Sequence, residues 1–337
     1  MKLLDQMNRI KKIKALIFKK NNWPTWTLKY KILWVLLVIN GLIFSSCNSN
    51  TRNSDTPNQG EINMAADNTI EPIIAQELDI FGYDFPETKI NCRFSPENEI
   101  FKRIMDDSIH FAVTTRRLSP DERSHFNNRK IEIYENKVAT DAVAVIVNRM
   151  NPDTTLSLIT LKEILEGKIQ NWNSILVQSH LGEIRVILDQ NGSSIERNIK
   201  EVLGSHALDS KKIFSLTGNA AVANYIAKNP NAIGFIGMNW LNNNDSASTN
   251  LASKVHVLAL SQNFKAEENI RYYMPNFNNI NFKKYPFIRS VFTLSVEGHT
   301  GLGTGFAVFL ESDKGQLIFS KSGVLPKREV TREIHLN

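Results

Sequence analysis

DAVAVIVNRMNPDTTLSLITLKEILEGKIQNWN, residues 141–173, contains the units from which the fold is read. Asp141–Asn148 is apolar at nearly every position, the composition of a strand covered on both faces. Thr160–Gly167 follows as a helix closed by a glycine. Outward from this segment the same alternation recurs. Helices are predicted over Thr69–Gly82, Pro96–Asp107, Ile195–Leu203, Asn219–Asn229, Gly305–Ser312 and Lys314–Ser320. Strands are predicted over Lys89–Phe94, Ile109–Thr114, Ile184–Asp189, Ala232–Gly237 and Ser290–Val296. Repeated strand–helix alternation predicts an α/β fold with mainly parallel sheets. No internal repeat is visible.

The chain begins differently. Ile32–Cys47, ILWVLLVINGLIFSSC, is an apolar run ending in small residues and a cysteine, behind a lysine-rich start. That order is the architecture of a bacterial lipoprotein signal. An uncleaved anchor is the alternative, but Ile32–Phe44 has only 13 residues, short for a membrane-spanning helix. The lipoprotein reading makes 1–46 a signal peptide, Cys47 the acylated residue, and 47–68, rich in Asn, Ser and Thr, a flexible tether.

The formal charge of +6 belongs largely to that signal. Nine of the 40 Lys/Arg and one of the 34 Asp/Glu precede Cys47, leaving 31 bases against 33 acids, about −2. Positive charge before the apolar run suits export. The remainder gives no global argument for a nucleic-acid partner. With Cys47 acylated, Cys92 has no disulfide partner and reads as a small hydrophobe. No Cys/His cluster has zinc spacing, no cofactor motif is present, and no nucleophile–base pairing, Walker loop or HExxH motif emerges. No catalytic set therefore emerges from the sequence.

Two segments suit an anion. DQNGSSIER (189–197) runs from a strand end through a Gly/Ser turn into a helix. Helix-start amides are unpaired and partly positive, so Asn191, Gly192, Ser193 and Ser194 form a candidate oxyanion site. The same residues also suit an ordinary helix capped by Ser193 or Ser194. Thr114, Thr115 and Arg116, at a strand end, pair hydroxyls with a guanidinium. A solvated basic turn explains them equally.

Taken together, TTRRLSPDE (114–122), residues 141–173, DQNGSSIERNI (189–199), NAIGFIG (231–237), YPFIRSVFTL (285–294) and FAVFLESDKGQLIFSKSGVLP (306–326) resemble the phosphate-type solute-binding proteins of ABC transporters, in the periplasmic binding protein superfamily. The resemblance covers about Ile70–Pro326 and implies two α/β lobes joined by a two-strand hinge. It implies lobe one over 69–140 and 286–326, lobe two over 141–285, and a tail over 327–337. It further implies a monomeric binder, not an enzyme, that delivers phosphate or a related oxyanion to an ABC permease. The Cys47 signal places it outside the cytoplasm on a lipid tether, and the lack of a dense acidic run after Cys47 favours the periplasmic side. The family's Ser-Gly-Thr helix start falls on Ser193-Ser194-Ile195, its first loop on Asn68-Thr69, and its other strand-end loop on Thr114–Arg117. Asp189 stands where an Arg is common, leaving Arg185 and Arg197 as candidates for the missing charge. A sensor or interaction module with a decayed anion site is the alternative that these departures favour.

Overall fold

The computed structural model describes residues 55–177, 179–204, 208, 213–242, 252–262 and 270–328. The signal segment, Cys47 and the tail beyond 328 lie outside the described residues. The chain enters with β1 (Gly60–Asp67), α1 (Glu71–Asp84), β2 (Thr88–Ser95), α2 (Glu97–Met105), β3 (Phe111–Thr114) and α3 (Pro120–Asn128). The long strand β4 (Tyr134–Asn148) leads into β5 (Thr155–Ser157), α4 (Leu158–Leu165), β6 (Arg185–Leu188), α5 (Ser194–Leu203), β7 (Ile213–Ser215) and α6 (Asn219–Lys228). Next come β8 (Ala232–Gly237), α7 (Asn239–Asn242), β9 (Val255–Val257), β10 (Ala259–Ser261) and α8 (Phe277–Asn281). β11 (Ile288–Ser295) returns the chain to α9 (Leu302–Glu311), α10 (Asp313–Lys321) and β12 (Leu325–Pro326).

The strands lie in the order β2-β1-β3-β11-β4-β8-β6-β7. Tyr134–Ala142 of β4 pairs antiparallel with β11, whereas Val143–Val147 pairs antiparallel with β8. One strand thus serves two lobes, and β11 crosses beside it. Apolar clusters cover both faces of the sheet in each half. One half holds Met64, Phe81, Phe111, Phe306 and Phe319 on one face, with Ile100, Phe101 and Phe126 on the other. The other half holds Trp172, Phe235, Tyr285 and Phe287 on one face, with Val222, Ile226 and Ile236 on the other. Two separately filled cores joined by two strands make a two-lobed α/β fold.

Two expectations are corrected. The tether does not extend through Asn68, nor does lobe one begin at Thr69, because Gly60–Asp67 forms a strand between β2 and β3. Its alternation of half-buried and exposed positions at Gly60–Asn63 hides it within a polar stretch. The sheet is also mixed rather than mainly parallel. Parallel pairs occur within each lobe, while every pairing of β4 and β11 is antiparallel.

Candidate functional site

β1 ends at Asp67, and the chain turns through a short 3-10 segment, Asn68–Ile70, before α1. The Asp67 carboxylate fixes this turn: Oδ1 accepts the Thr69 N–H at 2.9 Å and its hydroxyl at 2.7 Å. Thr69 is fully buried and Asn68 nearly so. Across the cleft, α5 starts at Ser194 with Ser193 as its cap, whose Oγ accepts the Glu196 N–H at 3.1 Å. Ser194 Oγ lies 3.0 Å from Thr69 Oγ1 and accepts from Arg289 Nη1 at 2.7 Å. Asn239 Nδ2 and Trp240 Nε1 each donate to Thr69 O at 3.0 Å. The first loop of lobe one, the helix start of lobe two and a crossing-strand arginine therefore meet at one buried point.

Gly237 explains why they can meet. A Cβ there would sit 2.4 Å from Thr69 O and 3.2 Å from Arg289 Nη2. Only glycine leaves the backbone room for this approach.

Arg289 is the cation of the site, and it stands in a strand. Its Nε and Nη2 both donate to Asp141 Oδ2, at 3.1 and 2.7 Å, on the neighbouring crossing strand. Both side chains are buried. Burial raises the Asp141 pKa, opposed by the Arg289 guanidinium. Asp189 is buried too, and burial is the main force that pushes its pKa up to about 7. The Ser193 hydroxyl, 2.6 Å from Asp189 Oδ1, pulls the other way, while the Asp67 charge adds to the rise. Among the described residues, Asn68 Oδ1, Asp141 Oδ1 and Asn239 Oδ1 are buried acceptors without a hydrogen bond. The site thus combines an arginine and helix-start amides with several acceptors, a set suited to an oxyanion that still carries a proton.

The expected residues are distributed unevenly. Asn68, Thr69 and Ser194 line the meeting point, and Gly192 and Ser193 flank it. The Ser193 hydroxyl is already used between Asp189 and the helix cap, so the capping reading holds at Ser193, and Ser194 is the serine that faces Thr69. Thr115 lies within the same network, its hydroxyl oxygen 3.1 Å from Asp67 Oδ2 and 3.0 Å from Glu97 Oε2. Three expected residues face elsewhere. Thr114 donates to Arg116 O at 2.8 Å, a local turn bond. Arg116 is held in its own lobe by both oxygens of Glu122 and stacks 3.5 Å from the Phe101 ring centre. Asn191 is exposed and accepts from Ser215. Of the two candidate charges, Arg185 is exposed beside Tyr225, and Arg197 stands at the cleft mouth.

Sequence reasoning missed Arg289, Asp141, Asp67 and Asn239. The sequence marks two of them singly, an arginine within Ile288–Ser295 and an aspartate at the head of the apolar run Asp141–Asn148, but the two are 148 positions apart. Unpaired, neither charge would be buried there.

A PBP superfamily domain matches residues 51–314, and the chain belongs to that family. It is similar to the phosphate-binding protein PstS of Staphylococcus saprophyticus, 23% identical over 218 residues, covering 64% of this chain and 67% of the relative. PstS of Staphylococcus aureus is 24% identical over 204 residues, covering 59% of this chain and 61% of the relative. The chain thus spans roughly three fifths to two thirds of these relatives. Among solved structures it resembles a candidate phosphate ABC transporter substrate-binding protein from Clostridium perfringens, which was solved with bound phosphate. The TM-score is 0.67 at 20% identity, covering 80% of this chain and all of that one. An ABC-type phosphate transport receptor from Vibrio cholerae gives a TM-score of 0.58 at 19% identity, covering 79% of this chain and 100% of that one. These likenesses establish the two-lobed fold.

Proposed function

We propose that this protein is an extracytoplasmic solute-binding component of ABC-type uptake, tethered through lipid on Cys47, that captures phosphate or a related oxyanion between its lobes. The observation that carries the reading is the convergence of Thr69, the Ser194 helix start and buried Arg289 at the seam of the two lobes. The phosphate-binding and phosphate-transport relatives support phosphate as the ligand and a permease as the partner. In this account the anion enters between Thr69 and Ser194 and takes donors from both hydroxyls, the α5 amides and Arg289. The lobes pivot where β4 passes from β11 to β8, at Ala142–Val143, beside the start of β11 at Ile288. Lobe one is then 60–140 with 288–326, and lobe two is 141–287.

A second reading, a sensor or interaction module with a decayed anion site, has one observation in its favour. The Thr69 and Ser194 hydroxyls already satisfy each other, and Arg289 is already paired with Asp141. Calorimetric titration of ligand-stripped protein with phosphate, sulfate and molybdate separates the two. Saturable heat with phosphate supports uptake, and no heat with any of the three supports the second reading.

A further inference from the structure

The mouth of the cleft holds a polar cluster that touches none of the central hydroxyls directly. Glu97 opens α2 in lobe one, and its side chain is only 5% exposed. Arg197, on the first turns of α5 in lobe two, donates to it from Nε at 2.7 Å and from Nη2 at 3.1 Å, one bond to each carboxylate oxygen. This two-point geometry is specific as well as strong. Arg197 Nη2 also donates to Thr115 O at 3.1 Å.

Each half is arranged within its own lobe before the two meet. Arg116 Nε donates to Glu97 Oε1 at 3.3 Å, and Arg116 is itself fixed by Glu122 and Phe101. Arg197 Nη1 donates to both oxygens of Glu201 at 2.8 Å, one helical turn away in α5. Side chains already ordered lose less freedom when they pair. Beside them the backbones join directly: the Asn98 N–H donates to Gly192 O at 3.1 Å. Gly192 has φ +75°, and a Cβ there would lie 2.2 Å from Asn98 Nδ2.

The cluster is also connected to the site. From Glu97 the hydrogen bonds run through Thr115 to Asp67, then Thr69, then across to Ser194, and end at Arg289 and Asp141. The route begins in lobe two at Arg197, passes through lobe one, and returns to lobe two and the crossing strands. Breaking it at the mouth releases one of the contacts that hold the lobes against each other.

We propose that Glu97 and Arg197 form an interlobe latch that sets how long the cleft stays closed, and therefore how slowly a captured anion leaves. Arg197 acts here as a positioning residue and not as a ligand contact. The statement about the anion rests on the uptake reading above; the statement about closure does not.

The Asn98 amide reports closure directly, because its acceptor is in the other lobe. Hydrogen exchange of the full chain tests the latch without ligand, and stopped-flow release tests it with inorganic phosphate. Arg197→Ala and Glu97→Gln should each speed exchange at Asn98 by about tenfold or more, with the β4 amides of Val143–Val147 unchanged as the folding control. Phosphate release should accelerate by a similar factor while association changes little. The double variant should be no faster than the faster single one, the mark of a shared interaction. Arg197→Lys keeps the charge but loses the two-point fork, and should fall between wild type and Arg197→Ala. Unchanged exchange at Asn98 in these variants, or exchange there already unprotected in the native chain, overturns the latch. Loss of phosphate binding with unchanged Asn98 exchange would make Arg197 a ligand contact instead. A native chain that protects Asn98 yet binds no phosphate would defeat the uptake reading and leave the latch standing.

Discussion

Arg289 grips a single oxygen of Asp141 with Nε and Nη2 and turns its remaining nitrogen, Nη1, to Ser194 Oγ at 2.7 Å. The pair joins the two strands that link the lobes, and its free arm reaches the helix start of lobe two. One guanidinium thus ties the crossing strands to the anion site.

Removing that guanidinium should have two separable effects. Arg289→Gln should weaken phosphate binding by at least about tenfold, the size of a lost charge-assisted contact. It should also destabilise the fold by about 3–5 kcal/mol, because Asp141 would be left buried without its partner. Asp141→Asn combined with Arg289→Gln should restore much of the stability and none of the binding. Denaturant melts and titration calorimetry on the native chain and the two variants check both.

Asp189 gives the site a pH dependence. Its pKa is raised to about 7, so its charge appears as pH rises through neutrality, beside the proposed anion position. Affinity should therefore fall above about pH 7, and more steeply in the native chain than in Asp189→Asn. Phosphate titrates as well, so the informative quantity is the ratio of the two affinities across pH 5.5–8.5. A constant ratio would contradict a role for Asp189. The folded pKa lies above that of an ordinary aspartate, so this group favours the fold at low pH. That contribution is lost as pH rises through about 7.

Glu77 carries a larger pH signature away from the site. It is fully buried in α1, neither carboxylate oxygen has a partner among the described residues, and burial raises its pKa to about 9. The raised folded value means that stability should decline as pH rises from the ordinary carboxylate range to about 9. Glu77→Met, similar in volume and apolar, should remove that slope and stabilise the protein at pH 8 by about 1–3 kcal/mol. Thermal melts at pH 5 and pH 8 measure the difference.

Gly237→Ala should damage the site from the backbone side. The added methyl would overlap Thr69 O and press on Arg289. A cost of about 1–3 kcal/mol is expected, with weaker phosphate binding, because no flexible side-chain end is available to yield at Thr69 O. Gly298→Ala, where a Cβ meets nothing within 4 Å but φ is +72°, is a control for backbone strain alone.

Much of the α/β order was readable because its signals are local. Asp141–Asn148 is a strand in any context, and Ser193 caps a helix wherever a Gly-Ser-Ser turn precedes one. β1 was not readable: its outer half alternates exposed and half-buried residues, and its inner half, Met64-Ala65-Ala66-Asp67, is short. The same holds for Tyr134–Lys137, where β4 lies half-exposed before its apolar run. Ser194 and Thr69 could be found because each sits at a turn with a recognisable chemistry. Arg289 could not be assigned, because its partner is 148 positions away and only the pairing of β4 with β11 brings them together. Arg116 and Arg197 each lie near a site-like turn, and in the structure their guanidiniums pair with Glu122, Glu97 or Glu201.

The most direct test of anion capture is a crystal structure of the ligand-stripped chain soaked in phosphate. The account predicts one phosphate between Thr69 and Ser194, with those hydroxyls parted from their present 3.0 Å and Arg289 Nη1 on a phosphate oxygen. Full soaking that leaves the Thr69–Ser194 contact intact, or phosphate bound only elsewhere, would contradict it.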